Sequence, residues 1–369
     1  MTRLRHLYDQ HGQSPWLDNL RRGWIASGTL QEWVDRGVRG LTSNPTIFAK
    51  AMTETNDYDQ DLKRLVGAGA TVDNVYWQLV VADIEHALAL LAPVHHSSGG
   101  ADGFVSVEVS PTLAHDRAGT VAAARQLHDE IAAPNLYVKV PATKEGVPSI
   151  ETLIGEGRSI NVTLIFSLVR YGEVMEAYVR GLEQLAKADP RANLSSVSSV
   201  ASFFVSRVDV EVDRQLEALG TPQALALRGK AAVAQAQLAY QEFAKVFAGP
   251  RWQALEARGA HVQRPLWAST STKNPAYPDT LYVDQLIGPH TVNTMPEATL
   301  AAFDDHGTLA RTVDADFDGA ARTIDSLAEL GIGIEEVAQK LETEGVTSFA
   351  KSFEDVLATL ASRTEDIHH

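Results

Sequence analysis

The sequence predicts a closed (β/α)8 barrel, an α/β fold, with additional helices and a helical C-terminal tail. Three observations carry that prediction. Short apolar runs of strand length alternate with amphipathic stretches of helix length along most of the chain. Eight such runs can be picked out, the number a closed parallel barrel needs. The 369 residues leave room for inserted helices beyond an ordinary barrel. An open, doubly wound parallel sheet is the alternative on pattern alone.

The first run, Ser14–Asp18, ends on a carboxylate. The second, Val38–Asn44, closes with LTSN, in which Thr42 and Asn44 share a face. Residues Thr55–Ala92 then read as inserted helix, and Pro93–Gly103 (PVHHSSGGADG) as a mobile loop. In the third run, Phe104–Ser110, the valines alternate with Ser106, Glu108 and Ser110. The fourth, Leu136–Val140, carries Lys139 on the face shared with Tyr137 and Pro141. The fifth, Ile160–Phe166, sets Asn161 and Thr163 against Ile160, Val162 and Leu164. A helix capped by Ser167 should follow, with Leu168, Tyr171, Met175, Tyr178, Leu182 and Leu185 as its apolar stripe.

In the sixth run, Val197–Phe204, Ser202 and Phe204 oppose Ala201, Phe203 and Val205. Thr221–Gly259 reads as added helices before the seventh run, Pro265–Ser271, where Trp267, Ser269 and Ser271 align. The eighth is His290–Met295. Pro296–Arg363 has no strand signal and reads as the helical tail, with His368 and His369 as a disordered end. The expected domain is a single one, spanning residues 1–369.

Composition narrows the function. Apolar residues make up 44% and charged residues 21%, and no stretch holds 18 uninterrupted apolar residues, so no membrane partner is expected. Residues 1–13 are polar and mixed in charge, unlike a signal peptide. The absence of cysteine excludes disulfides, thiolate nucleophiles and cysteine-ligated metals. A net charge of −15 argues against a nucleic-acid partner. The expectation is a cytoplasmic enzyme or binding protein, and a homo-oligomer is compatible with it.

Each strand face that would point into a barrel is polar where a purely structural core would be aliphatic. Buried polar groups need partners, so such a ring implies a shared network or a ligand. Solvent-facing antiparallel strands are the bland alternative, and the intervening helices argue against them. A lysine inside LYVKVP is desolvated, and a neutral amine can attack a carbonyl to form a Schiff base. An edge-strand lysine guarding against aggregation is the competing reading. Asp18 and Glu108, from different strands of the same rim, could divide proton transfer between them, or could be structural ion pairs. Arg207, at a helix start after the sixth strand, and Lys273, past the seventh, suit an anion. For Arg207 alone, a surface salt bridge with Asp209 or Glu211 is the more common explanation. No phosphate-binding glycine loop follows a strand, and His95 and His96 lack acidic partners at ligand spacing, so no metal site is expected. His115 and Asp116 read as capping or surface groups.

Five motifs in order, LTSNPTIF (Leu41–Phe48), VSVEVSPTLAHD (Val105–Asp116), LYVKVPAT (Leu136–Thr143), INVTLIFS (Ile160–Ser167) and SFFVSR (Ser202–Arg207), resemble transaldolase. The length and STSTKN resemble its longer bacterial members. The resemblance implies a barrel enzyme without cofactor or metal, acting on sugar phosphates in the pentose phosphate pathway. It implies that Lys139 is the Schiff-base residue, that Asp18 takes the proton of the substrate C4 hydroxyl, and that Glu108 and Thr163 hold a proton-relaying water. Asn44 and Asn161 would bind the dihydroxyacetone hydroxyls; Thr42, Ser202 and Phe204 would shape the pocket, and Arg207 would hold phosphate. Many members place a second arginine after the seventh strand. Here Trp267–Asn274 contains none, and Lys273, with Ser269 and Ser271, is the nearest substitute. A fructose-6-phosphate aldolase and a non-catalytic phosphosugar-binding barrel are the alternatives.

Overall fold

The computed structural model describes residues 2–368. Its eight strands close in chain order into a barrel, and every neighbouring pair runs parallel. They are β1 (Gln13–Asp18), β2 (Leu41–Thr42), β3 (Val105–Glu108), β4 (Leu136–Pro141), β5 (Ile160–Ile165), β6 (Ser199–Phe204), β7 (Arg264–Ala268) and β8 (Thr291–Met295). Outward valines, isoleucines and leucines pack under the surrounding helices. Inside, Tyr137 stacks on Phe104 at 4.1 Å and against Trp16 at 6.2 Å toward the N-terminal end. The polar side chains gather at the other end.

Three strands depart from the alternation expected of them. β2 is only two residues long, because Asn44 caps the next helix (Pro45–Glu54) and Pro45 has no N–H to extend a ladder. Gly40, just before β2, lies so close to the Trp16 indole that a Cβ would fall 2.3 Å from it. β5 is bulged: its register against β6 shifts between Val162 and Ile165, with Leu164 at φ +60°. Leu164 therefore leaves the Ile160–Val162 face and reaches the C-terminal helix at Gly345. β7 ends at Ala268 because Ser269 adopts φ +56°. Trp267 pairs with Phe203 and packs behind the barrel, so it does not share a face with Ser269 as the sequence suggested.

Helices Asp59–Gly67 and Val72–Ser97 fill the stretch between β2 and β3. The second continues through Pro93 to Ser97, so the first five residues of the expected loop Pro93–Gly103 are helix. Packing overrides the proline: Leu91 is buried beside it, and the His95 ring meets Phe104 at 5.0 Å. By length and composition this helix could cross a membrane, but ten of its residues are buried in the protein. Ser167 caps helix Leu168–Ala188 as expected, accepting from Arg170 N at 3.0 Å. Added helices Pro222–Leu225, Ala231–Val246 and Pro250–Glu256 precede β7. The tail is helical at Glu297–His306, Phe317–Glu329 and Ile334–His368. That last helix includes His368, expected to be disordered; His369 lies outside the described residues. An N-terminal helix, Arg3–His11, was not anticipated, since its only fully buried apolar residues are Leu4 and Leu7.

Candidate active site

The strand register decides which polar side chains meet. Asp18 is level with Thr42, and Thr42 with Ser106. Glu108 is level with Lys139, and Lys139 with Asn161. One row of the sheet thus brings a lysine between a carboxylate and an amide near the C-terminal ends of the strands, where barrel chemistry collects.

Lys139 is only 4% exposed. Its Nζ donates to the Ser43 carbonyl at 3.1 Å and lies 3.2 Å from Glu108 Oε2. That carboxylate contact is an ion pair without hydrogen-bond alignment, so Oε2 keeps its capacity to accept from another donor. Among the described residues, the fully buried Thr163 hydroxyl likewise has no partner. A buried hydroxyl and a buried carboxylate oxygen without hydrogen bonds, near one lysine, suit a bound water or substrate hydroxyl.

Asp18, half-buried on the opposite wall, accepts from Thr42 Oγ1 at 2.7 Å, and that hydroxyl also meets Thr294 Oγ1 at 2.7 Å. Desolvation pushes the Asp18 carboxyl above the ordinary carboxylate range, with the Lys139 ammonium offsetting part of the shift. Glu108 is raised for the same reason, again partly offset by Lys139. Asn161 is held from both sides: its amide donates to Ser106 Oγ at 3.0 Å and accepts from Ser202 Oγ at 2.7 Å. Asn44 spends its carbonyl on the helix cap, accepting from Ile47 N at 3.0 Å.

These groups border a cavity of about 350 Å³. Of the residues singled out from the sequence, Asp18, Thr42, Asn44, Lys139, Thr163, Ser202, Phe204, Arg207, Ser269, Ser271 and Lys273 line it. Glu108 and Asn161 stand one layer behind, each touching a residue that lines it. His115 is elsewhere, exposed and paired with Glu145 at 3.1 Å.

The sequence reading missed several walls. Thr46, Ile47 and Lys50 come from the helix that Asn44 caps, and their i, i+1, i+4 spacing could have placed them at the mouth. Thr294 and Pro296 follow from β8. Ser348 and Phe349 arrive from the C-terminal helix, for which the sequence has no local signal.

Lys50, Arg207 and Lys273 all reach the cavity, and none of them forms a salt bridge among the described residues. The expected surface pairing of Arg207 with Asp209 or Glu211 does not occur: Asp209 binds Tyr282 and Ala232 N, while Glu211 pairs with Arg214 and Lys340. Desolvation lowers the proton affinity of Arg207 and Lys273, and the Arg207 charge lowers that of Lys273 further. Three unpaired cations at one opening, in a chain of net charge −15, make a site for an anion. The helix that Arg207 enters, Ser206–Leu219, has no side-chain cap at its start, and Ser206 is tied to Ser269 Oγ at 2.9 Å. Among the described residues, no cluster of three potential metal ligands is found.

The family model for transaldolase/fructose-6-phosphate aldolase matches residues 15–360. A transaldolase 2 of Streptomyces coelicolor is 50% identical over 357 residues, covering 96% of this chain and 95% of that protein. A transaldolase of Frankia alni is 48% identical, with 95% of each covered. One from Thermobifida fusca is 49% identical, with 98% of each covered. Barrel, buried lysine and nearly full-length similarity converge: the chain belongs to the transaldolase family of Schiff-base transferases.

Proposed function

We propose that Lys139 forms the Schiff base of a transaldolase reaction that moves a dihydroxyacetone unit from sedoheptulose 7-phosphate to glyceraldehyde 3-phosphate. The products are erythrose 4-phosphate and fructose 6-phosphate, and the reaction belongs to the pentose phosphate pathway in the cytoplasm. The observation that carries this reading is the buried Lys139 amine, 3.2 Å from Glu108 in a row that also holds Asn161.

The Lys139 amine adds to the substrate C2 carbonyl, and loss of water leaves a protonated imine. Glu108 Oε2 and the Thr163 hydroxyl, both without hydrogen-bond partners among the described residues, hold the water that carries protons in this step. Ionised Asp18 takes the proton from the C4 hydroxyl. The C3–C4 bond then breaks, its electron pair moves into the imine, and the aldehyde leaves. The enamine remains bound, its hydroxyls held by Asn44 and Asn161 while Ser202 and Phe204 shape the wall. Its C3 attacks the acceptor aldehyde, Asp18 returns the proton to the new alkoxide, and water adding at C2 of the imine frees fructose 6-phosphate and the Lys139 amine. Arg207 and Lys273 hold the phosphate, with Ser269 and Ser271 beside them; Lys273 Nζ already donates to Ser271 at 2.6 Å. A cation on a flexible stem thus takes the place in which many relatives carry a second arginine.

Borohydride trapping tests the reading. Incubation with fructose 6-phosphate, reduction and peptide mass spectrometry should locate a three-carbon adduct on Lys139. An adduct on another lysine, or none at saturating substrate, would overturn the assignment. Release of free dihydroxyacetone at rates matching transfer would instead favour the aldolase activity.

A further inference from the structure

The C-terminal helix Ile334–His368 lies across the mouth of the barrel. Ser167 donates to Glu335 at 2.6 Å near its start, and Lys340 pairs with Glu211 at 2.7 Å. Thr46 meets Ser352 at 2.8 Å, and Arg363 donates to the Met52 carbonyl at 2.6 Å. Between these anchors the helix passes close over β5 and the start of helix Ser206–Leu219. A Cβ on Gly345 would sit 3.0 Å from Leu164 Cδ2 and 3.5 Å from Arg207 Nη1, so the helix backbone nearly touches the bulge and the arginine.

One turn further on, Phe349 enters the cavity wall while remaining 4% exposed. Its ring centroid is 5.9 Å from Arg207 Cζ, and that of Phe204 is 5.1 Å from the same atom. Arg207 therefore has aromatic rings from two distant parts of the chain as neighbours and, among the described residues, no ion pair. Rings attract a guanidinium through their faces without neutralising it, and they leave its N–H edge free to donate. A carboxylate in the same place would hold the arginine equally well but would compete with a phosphate.

We propose that Phe349 is a positioning residue that holds Arg207 for the substrate phosphate, so that discrimination between phosphorylated and unphosphorylated sugars depends on the C-terminal helix. The proposal rests on the reading of Arg207 as a phosphate contact. An unclamped arginine samples several rotamers and binds phosphate only in some of them.

The test compares kcat/KM for glyceraldehyde 3-phosphate and for glyceraldehyde as acceptors. Phe349→Leu, which keeps apolar bulk and removes the ring, should lower the ratio of the two about tenfold, mainly through KM of the phosphorylated acceptor. Phe349→Trp, which restores an aromatic face, should recover most of it. A role confined to packing would lower both acceptors together and leave the ratio where it was, which would overturn the proposal. If Phe349→Leu does not fold, Phe349→Met carries the same comparison. Arg207→Gln separates the two claims. Should it leave the ratio intact, the phosphate reading of Arg207 itself fails; should it collapse the ratio while both Phe349 variants keep it, only the clamp fails.

Discussion

Lys139 and Glu108 are ionisable groups facing each other in a dry place. Each is buried, and each lowers the other's desolvation penalty across 3.2 Å. Removing either charge alone leaves the other stranded. Glu108→Gln is expected to lower kcat by roughly 10²–10⁴-fold, because proton transfer during imine formation loses its carboxylate. The adduct should still be trapped on Lys139, only more slowly, which rapid-quench borohydride reduction would show. Asp18 makes a pH prediction. Its carboxyl is raised by burial and must be ionised to take a proton, so the acid limb of the kcat/KM profile should lie above the usual 3.8. The sign for stability is the same as for any raised carboxyl: its contribution is full below the unfolded value and is lost as pH rises through the folded one. Lys273→Ala should raise KM for the phosphosugars, and unchanged steady-state kinetics would remove it from the site.

The helix Ser206–Leu219 organises the side of the cavity proposed to take phosphate. Beyond Arg207 near its start, its Asp209 accepts from Ala232 N and from Tyr282 Oη, and Asp213 from Gly229 N and Tyr277 Oη. Tyr277 belongs to the loop after β7 that carries Ser271 and Lys273, and Tyr282 to the short helix Leu281–Asp284 that follows it, so the two cations are positioned through one helix. Burial pushes the Asp209 carboxyl up to about 6. A proton is then held more tightly in the folded state, and stability should fall as pH rises from near 4 to near 6, by about 3 kcal/mol from this group. Asp209→Asn keeps an acceptor oxygen and should remove that slope, which denaturant titrations at several pH values would measure. An unaltered slope would mean that Asp209 is ionised throughout.

Across the whole molecule, the proposed chemistry and a buried ion-pair network occupy opposite ends of the barrel. At the N-terminal end the fully buried Asp102 pairs with Arg39 at 2.9 Å and Arg264 at 3.3 Å, and accepts from Trp16 Nε1 at 2.9 Å and from Ser14. Asp102→Ala would leave two largely buried guanidiniums unpaired, at a cost of about 3–5 kcal/mol. The expected result is a clearly lower Tm with kcat/KM at room temperature within about twofold of the parent, since the N-terminal face of a barrel serves stability. Comparable losses in both would mean that the two ends are coupled.

The order of strands and helices was legible because the periods of the apolar pattern, 2 and 3.6, are local properties of the chain. The same alternation placed Lys139, Asn161 and Ser202 on inward faces, and a charged residue within an apolar run marked Lys139 as the candidate for chemistry. Two strand ends were misread where a residue takes positive φ, at Leu164 and Ser269, because side-chain volume does not announce that conformation. The helix through Pro93 was missed because packing outweighed a local breaker. Determined by sequence alone were the barrel, its polar rim and the lysine at its centre, all of which follow from short-range spacing. What only the tertiary structure decided was the company each residue keeps: Glu108 against Lys139, three unpaired cations at one mouth, and Phe349 beside Arg207. Those contacts join residues far apart in the chain, and no local pattern encodes the distance between them.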